Sequence, residues 1–356
     1  MTPLAFFLRT LWKTSAIFLG VTLVFVNPLH WTLPQQAVTA QKSPKQAAID
    51  GLIAALNDRD RSVRRTAASS LEYIGGATAN PVLAALREDQ AREVSDLTRD
   101  LGAPEPAART RAACELRELG SQAAPAIPAL VRLLADGAPV DPAVCQLQWW
   151  RNNELTSPGE QAASALVAIG SRSFDPLLGA LKSAAWIARR NAAWALGALD
   201  DRRAVGALVG ALKDSESPVR GHAAWALGAI DDRAAVEALV AALKDVDEGV
   251  RSQVAWALGA IGDAAAVPGL LDALRDASAK VRSQAAWALG AIDDARAVDG
   301  LVGALRDSSA TVRKQAAWAL GAIGDPRAVS GLLPVLKDED AGVRRQAAWA
   351  IGSIGR

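Results

Sequence analysis

Six tryptophans, Trp194, Trp225, Trp256, Trp287, Trp318 and Trp349, follow one another at a constant interval of 31 residues. A fixed period of this length is the signature of a stacked array, because each unit buries its apolar face only against its neighbours. The words around the tryptophans are nearly identical: RRNAAWALGAL, RGHAAWALGAI, RSQVAWALGAI, RSQAAWALGAI, RKQAAWALGAI and RRQAAWAIGSI. A second set runs between them: AVGALVGALKD, AVEALVAALKD, AVPGLLDALRD, AVDGLVGALRD and AVSGLLPVLKD. Both sets place apolar residues at i, i+3, i+4 and i+7, the helical spacing. The Asp-Asp, Gly-Asp and Asp-Pro steps between words are cap and turn chemistry. Each unit therefore reads as a helical hairpin, with helix A ending in Leu-Lys/Arg-Asp and helix B carrying the tryptophan.

A degenerate helix B word occurs three times upstream: VRRTAASSLEYIG from Val63, ARTRAACELRELG from Ala108 and PGEQAASALVAIG from Pro158. Ser69, Cys114 and Ser164 stand at the tryptophan position there. The spacings imply insertions near residues 89–104 and 137–156. About nine hairpins then account for residues 45–355, with degenerate repeats over 41–170 and regular ones over 171–356.

These units resemble HEAT repeats of the bacterial type named after phycobilisome lyases. The resemblance rests on an Asp after helix A (Asp214, Asp245, Asp276, Asp307, Asp338) and on a Val-Arg pair opening helix B (Val219-Arg220 through Val343-Arg344), followed by the AA…LG…I core. It implies an all-α chain, an α-α superhelix (a right-handed solenoid) with helix B lining the concave surface. It is specific for fold and leaves function open, since function resides in a site and not in a fold.

Counting helix B from its Val as position 1, with 100° per residue, gathers positions 1, 5, 8, 9 and 12 into a core seam. Gly at position 10 and position 3 fall opposite. Trp at position 7 lies about 140° from the centre of the seam on this count. The expected result is a stripe of six indoles along the groove, stepping by roughly 8–10 Å over about 50 Å. Position 4 shares the ridge and holds Asn191, His222, Gln253, Gln284, Gln315 and Gln346. An indole plus an amide on each rung suits an extended polypeptide, through stacking and backbone hydrogen bonds. With about half of each indole exposed, the six would offer about 600 Å², as large as the largest apolar patch of an ordinary monomer. Three plainer readings stand beside this one. The row is a product of tandem duplication, each Trp covers a Gly of its own or the next repeat, or the glutamines form a structural ladder. Armadillo import carriers set an Asn four residues after each groove Trp. Here those positions are Ala198, Ala229, Ala260, Ala291, Ala322 and Ser353, so that peptide mode is not carried over.

Chemistry finds little foothold. There are 2 His and 2 Cys in 356 residues, too few for a His-rich metal site or a multi-Cys zinc site. Deoxyhypusine hydroxylases of HEAT type use repeated His-Glu pairs, and no such pair occurs here. His222 stands where the following repeats carry Gln, which reads as a surface substituent. No cofactor or metal is called for. Lys+Arg total 39 against Asp+Glu 38, and acids alternate with bases, so a nucleic-acid partner is not expected. The recurrent Arg and Asp read as caps and cross-repeat pairs contributing about 0.2–1 kcal/mol each.

The N-terminus reads as a targeting segment. Arg9 and Lys13 precede an uncharged run, Ala16 to Val26, and Val38-Thr39-Ala40 fits cleavage after Ala40. The rival is an uncleaved anchor over residues 15–33, the one membrane contact expected. Both readings export the rest, to a periplasmic or secreted location. Cys114 and Cys145 could pair in an oxidising compartment or remain thiols. Trp149, Trp150 and Arg151 sit in the second insertion as a candidate partner-binding tip, or as plugs for irregular stacking. The expectation is an exported, non-catalytic scaffold that binds a protein or extended peptide on the helix B surface; the alternative is a phycobilin lyase-like or other enzyme-accessory subunit.

Overall fold

The computed structural model describes residues 43–56, 58, 61–74, 76–145 and 156–355. The leader and anchor segments, and the Trp149, Trp150 and Arg151 tip, lie outside the described residues. Apart from one antiparallel bridge between Val140 and Thr156, the regular elements among the described residues are helices. They are α1 (Pro44–Ala55), α2 (Arg61–Ile74), α3 (Gly76–Asp100), α4 (Pro106–Leu119), α5 (Ile127–Leu133), α6 (Pro158–Ile169), α7 (Phe174–Ala180), α8 (Trp186–Ala198) and α9 (Val205–Ala211). The regular array continues with α10 (Ser217–Ile230), α11 (Val236–Ala242), α12 (Glu248–Ile261), α13 (Val267–Ala273), α14 (Ala279–Ile292), α15 (Val298–Ala304), α16 (Ala310–Ile323), α17 (Val329–Val335) and α18 (Ala341–Ile354).

The chain forms two compact units, residues 1–80 and 81–356. In the first, α1 packs on α2 and buries Ile49, Ala67 and Leu71. In the second, the even-numbered helices from α4 to α18 pack each against the next and form one layer. Each odd-numbered helix from α5 to α17 packs on the helix that follows it. The product is an α-solenoid whose core is continuous from Val94 to Ala350. Residues of the first insertion fall in the second half of α3 and the loop after it, so the extra length there is largely helix.

Local chemistry explains the hairpin. In the regular repeats, the short helices α9, α11, α13, α15 and α17 are each preceded by a single 3-10 turn, capped by Asp201, Asp232, Asp263, Asp294 or Asp325, whose carboxylate accepts from the backbone N–H two residues on. Asp side chains favour this turn because they satisfy donors that the helix start leaves orphaned. Asp247 and Asp340 cap α12 and α18 in the same manner, accepting from Val250 and Val343.

The two layers have different spacings, and that difference sets which side is inner. In the helix B layer, a Cβ added to Gly197, Gly228, Gly259, Gly290 or Gly321 would lie 2.5–2.7 Å from the Cα of an Ala on the next helix B. Backbones there nearly touch. Between neighbouring A helices, Val240, Leu243, Leu271 and Val302 side chains fill the gap. A stack that is tighter in one layer curves toward that layer, so helix B lines the inner side. The helical count from the sequence set Gly at position 10 opposite the core; the structure corrects this, because these glycines are buried. The count allowed each helix one packing face, whereas a helix B inside an array is flanked by two others as well as by helix A.

A ladder of ion pairs locks successive hairpins. Arg189, Arg220, Arg251, Arg282 and Arg313 reach Asp214, Asp245, Asp276, Asp307 and Asp338 of the next hairpin, with Nε to Oδ2 at 2.6–2.7 Å. Nη2 donates to Oδ1 of the same carboxylates at 2.8–2.9 Å. Nη1 donates to two carbonyls of the arginine's own loop, as Arg220 does to Asp214 and Ser215. Each guanidinium thus ties three segments in a two-pronged geometry with little solvent, a stronger arrangement than the exposed pairs expected from sequence. Hydrogen bonds from arginine hold Asp214, Asp276, Asp307 and Asp338 below the usual carboxylate range. At Asp245 burial pushes upward most, yet the Arg220 bonds and the Asp247 N–H together still bring it below.

Candidate functional site

The inner layer carries the tryptophans, and their surroundings come from the same Gly and Ala that bring the helices together. Trp225, Trp256, Trp287, Trp318 and Trp349 set Cζ3 about 2.6–3.0 Å from where a Cβ would stand on the glycine of the preceding helix B. Each indole edge occupies the notch that glycine leaves. Trp194, Trp225, Trp256, Trp287 and Trp318 are half-buried against the core, and Trp349 is 46% exposed. The half-exposed row assumed from sequence is therefore too generous for the five interior indoles. Trp194 and Trp225 stack with centroids 6.4 Å apart and planes 13° apart, closer than the expected 8–10 Å step.

Position 4 divides into two kinds. Asn191 is buried: Nδ2 donates to the Leu134 carbonyl at 2.9 Å, and Oδ1 accepts from Arg190. This corrects its assignment to a partner-binding amide row. The Leu134 carbonyl belongs to the end of α5, where helical acceptors lack intrahelical donors, and Asn191 supplies one. His222 bonds its Nδ1 to the Pro218 carbonyl at 2.8 Å, one turn back on its own helix. Gln253 is exposed, and Gln284, Gln315 and Gln346 are half-buried. Their four amides hydrogen-bond to no other described residue, so they do not form a ladder along the layer.

The described ends of the second insertion, residues 137–145 and Thr156, border this face near Trp194. Cys114, at the tryptophan position of α4, is joined by a disulfide to Cys145, with Cα atoms 6.0 Å apart. Val140 and Thr156 pair through both backbone hydrogen bonds and close the insertion's base. A small pocket opens between this base and the inner layer, lined among others by Pro142, Thr156, Glu160, Gln161, Arg190 and Trp194. Glu160 and Arg190 form an ion pair at 3.2 Å, and Arg190 lies 5.7 Å from the Trp186 ring centroid. Sequence reasoning did not single out Glu160 or Arg190, because their positions in the repeat carry no constant residue. Beyond the pocket, a cleft of about 460 Å³ runs over four rungs, α8 to α14, between Trp194, Trp225, Pro218, Gln253 and Lys280. The arrangement offers apolar indole edges and amides that pair with no described residue, beside the Glu160–Arg190 ion pair at the pocket and Lys280 at the cleft.

HEAT repeats match the sequence over residues 159–220, 208–278 and 267–352. No curated protein matches it. Among solved structures, Kap121p is similar over 87% of this chain and 42% of its own, at 13% identity and a TM-score of 0.55. Kap95p, in its complex with RanGDP, is similar over 86% of this chain and 47% of its own, at 16% identity and a TM-score of 0.53. The complex of CpcE and CpcF of phycocyanin lyase from Nostoc sp. PCC7120 shows 24% identity over 64% of this chain and 94% of its own, at a TM-score of 0.38. The two karyopherin likenesses agree with the solenoid read from the helix order, and the HEAT matches span more than half of the sequence. The chain belongs to the HEAT-repeat family.

Proposed function

We propose that the protein is an exported, non-catalytic scaffold that holds a protein segment in extended form along the inner helix B layer. The observation that carries this reading is the row of Gln253, Gln284, Gln315 and Gln346, whose amides have no partner among the described residues while half-buried indoles flank them. An extended backbone presents donors and acceptors at regular intervals, and a repeated amide serves both. The indoles add apolar contact beside each amide. Asn191 stands outside the row, and the insertion base near Trp194 marks one end of it. The binding of RanGDP by the structurally similar Kap95p lends general support to a protein partner.

Export rests on the uncharged run Ala16 to Val26 and on the small-residue site at Ala40, and a disulfide fits an oxidising compartment. The test uses the secreted chain as bait in an envelope extract, beside a variant carrying Gln253→Ala, Gln284→Ala and Gln315→Ala. Unchanged melting with at least tenfold weaker capture is the expected result; equal capture by both would remove the amide row from the function. Intact mass checks the leader. The exported form should begin at Gln41, and a full-length cytoplasmic species would defeat the export reading.

A further inference from the structure

From α8 to α18 the helix B layer carries a single acid, Glu248, the first residue of α12. Its cations are of two kinds. Arg189, Arg220, Arg251, Arg282 and Arg313 are held in the forks, and Arg190 pairs with Glu160. Lys280 on α14 and Lys314 on α16 are exposed, and no carboxylate among the described residues lies within ion-pair distance of either. Both stand at the amide row. Lys280 is one helical turn before Gln284 and lines the cleft with Trp225 and Gln253. Lys314 directly precedes Gln315, and its Cδ lies 3.9 Å from where a Cβ would stand on Gly342, near the start of α18. The nearby carboxylates are engaged: Asp276 and Asp307 fill forks, and Asp247 caps α12 by accepting from the Val250 N–H. Asp293 stands at the other end of α14, 9 residues beyond Gln284, about 13 Å along the axis.

We infer that the segment held along the inner layer is acidic and polyproline II-like, with a carboxylate at about every third residue where it crosses α12 to α16. This rests on the inner-face reading above and adds the class of chain that fills it. The charge sets the sign. Two lysines without a counter-charge, on helices free of acid, favour a negative partner over a neutral or basic one. The rung spacing sets the interval. Stacked helices step by roughly 8–10 Å, and a polyproline II chain returns to the same face every third residue, after about 9 Å. Carboxylates at that interval face successive rungs, one toward Lys280 and the next toward Lys314. The same backbone makes no internal hydrogen bonds, so its N–H and C=O groups are free for the amides of Gln253, Gln284 and Gln315. The indoles then pack against the residues between the acids.

The test uses the full disulfide-bonded chain and three synthetic peptides of about 18 residues, long enough for about six turns of polyproline II. The first repeats Glu-Pro-Ser, the second repeats Gln-Pro-Ser, and the third has the composition of the first with its glutamates gathered at one end. Binding is measured by titration calorimetry at low salt, where such pairs are least screened. Saturable one-to-one binding of the first peptide is expected, with the second about five- to tenfold weaker and the third weaker than the first. Lys280→Gln with Lys314→Gln should bring the first peptide to the level of the second at an unchanged melting temperature. Lys213→Gln with Lys244→Gln removes the same charge from the outer layer, where these lysines line a groove between α9 and α11, and should leave binding as it was. No binding of the first peptide, or an equal loss in the outer-layer variant, would overturn the proposal. Equal binding of the first and third peptides would overturn the interval. Equal binding of the first and second, weakened by Gln253→Ala, Gln284→Ala and Gln315→Ala, would overturn the acid requirement and leave the inner-face reading standing, so the two failures are separable.

Discussion

Asp200, Asp231 and Asp293 hold φ near +54 to +59° at the end of helix B, where Gly262 and Gly324 stand in sister repeats. The left-handed region is costly for a residue with a Cβ, and an acid at a helix C-terminus also faces the negative end of the dipole. Asp231→Gly is therefore expected to raise stability by about 0.5–1 kcal/mol in a denaturant titration, after allowance for the freer unfolded chain. The sister repeats show that the turn accepts glycine. The arginine ladder gives the opposite sign. Asp276→Asn leaves Arg251 half-paired and little exposed, so a loss of about 2–4 kcal/mol is expected. The recurrence of Arg and Asp was legible in sequence, but its strength was not. One sequence gives the identity of two charges, and only the packing shows that they meet as a fork with most solvent gone. The ladder also sets an acid limit. Its carboxylates titrate lower when folded than the usual value of about 3.9, so their stabilisation is complete above that value. It fades as pH falls through the lower folded values. Stability should hold from pH 7 to about 5 and fall below about 4, more shallowly in Asp276→Asn; a curve that falls equally in both would unseat the ladder as the cause.

Glycine at position 10 of helix B has two different environments, and they predict opposite outcomes for one substitution. At Gly290 an added Cβ would stand 2.6 Å from the Ala319 Cα and 2.8 Å from Trp318 Cζ3. Gly290→Ala gains about 1 kcal/mol of helix propensity but forces two helices apart, so a net loss of about 1–2 kcal/mol is expected. Gly352→Ala meets nothing and should gain up to about 1 kcal/mol. Melting curves of the pair check this, and equal signs would mean that the close approach is not what holds the layer. The same contact revises what the tryptophans can be. Leu289 is fully buried, and Leu289→Ala should lose about 2–5 kcal/mol. Trp287 and Trp318 are half-buried with their edges in glycine notches, so the double change Trp287→Ala and Trp318→Ala should fall between a surface change and that core loss, near 1–2 kcal/mol per site. The period, the hairpin and the core leucines were readable from the words themselves, whereas the inner position of helix B came only from the resemblance to HEAT repeats. The burial of Gly197 through Gly321 was not, because a helical count describes one helix and cannot register the second neighbour that a stack supplies. Asn191 was misplaced for a related reason. Its partner, the Leu134 carbonyl, lies at the edge of an insertion that the period does not describe.

A solenoid is held together by neighbours, so a constraint placed at one end need not be felt at the other. The disulfide between Cys114 and Cys145 closes a loop of 31 residues around α5 and the base of the second insertion. Chain-entropy arguments give such a loop about 3–4 kcal/mol, a model-dependent figure. In a globular domain with one core that amount would shift the whole unfolding transition. Here α4 packs on α6, α6 on α8, and so on to α18, and no described helix of the regular repeats reaches past its adjacent hairpin by more than slight contact. The effect of reduction should therefore decay along the array. The intact chain should gain two mass units on reduction, which verifies that the bond was present. Amide exchange after reduction should then rise in α4, α5 and α6, rise less in α8, and stay unchanged in α14 and α16. Denaturation monitored by far-ultraviolet circular dichroism should broaden, because the degenerate end unfolds before the regular repeats do. The regular repeats have their own reasons to persist: the glycine notches, the arginine forks and the capped 3-10 turns recur in each of them and do not depend on the bond. Uniform acceleration of exchange from α4 to α18 would contradict this. It would mean that the inner layer behaves as a single cooperative unit, and that the insertion at one end governs the stability of the amide row as a whole.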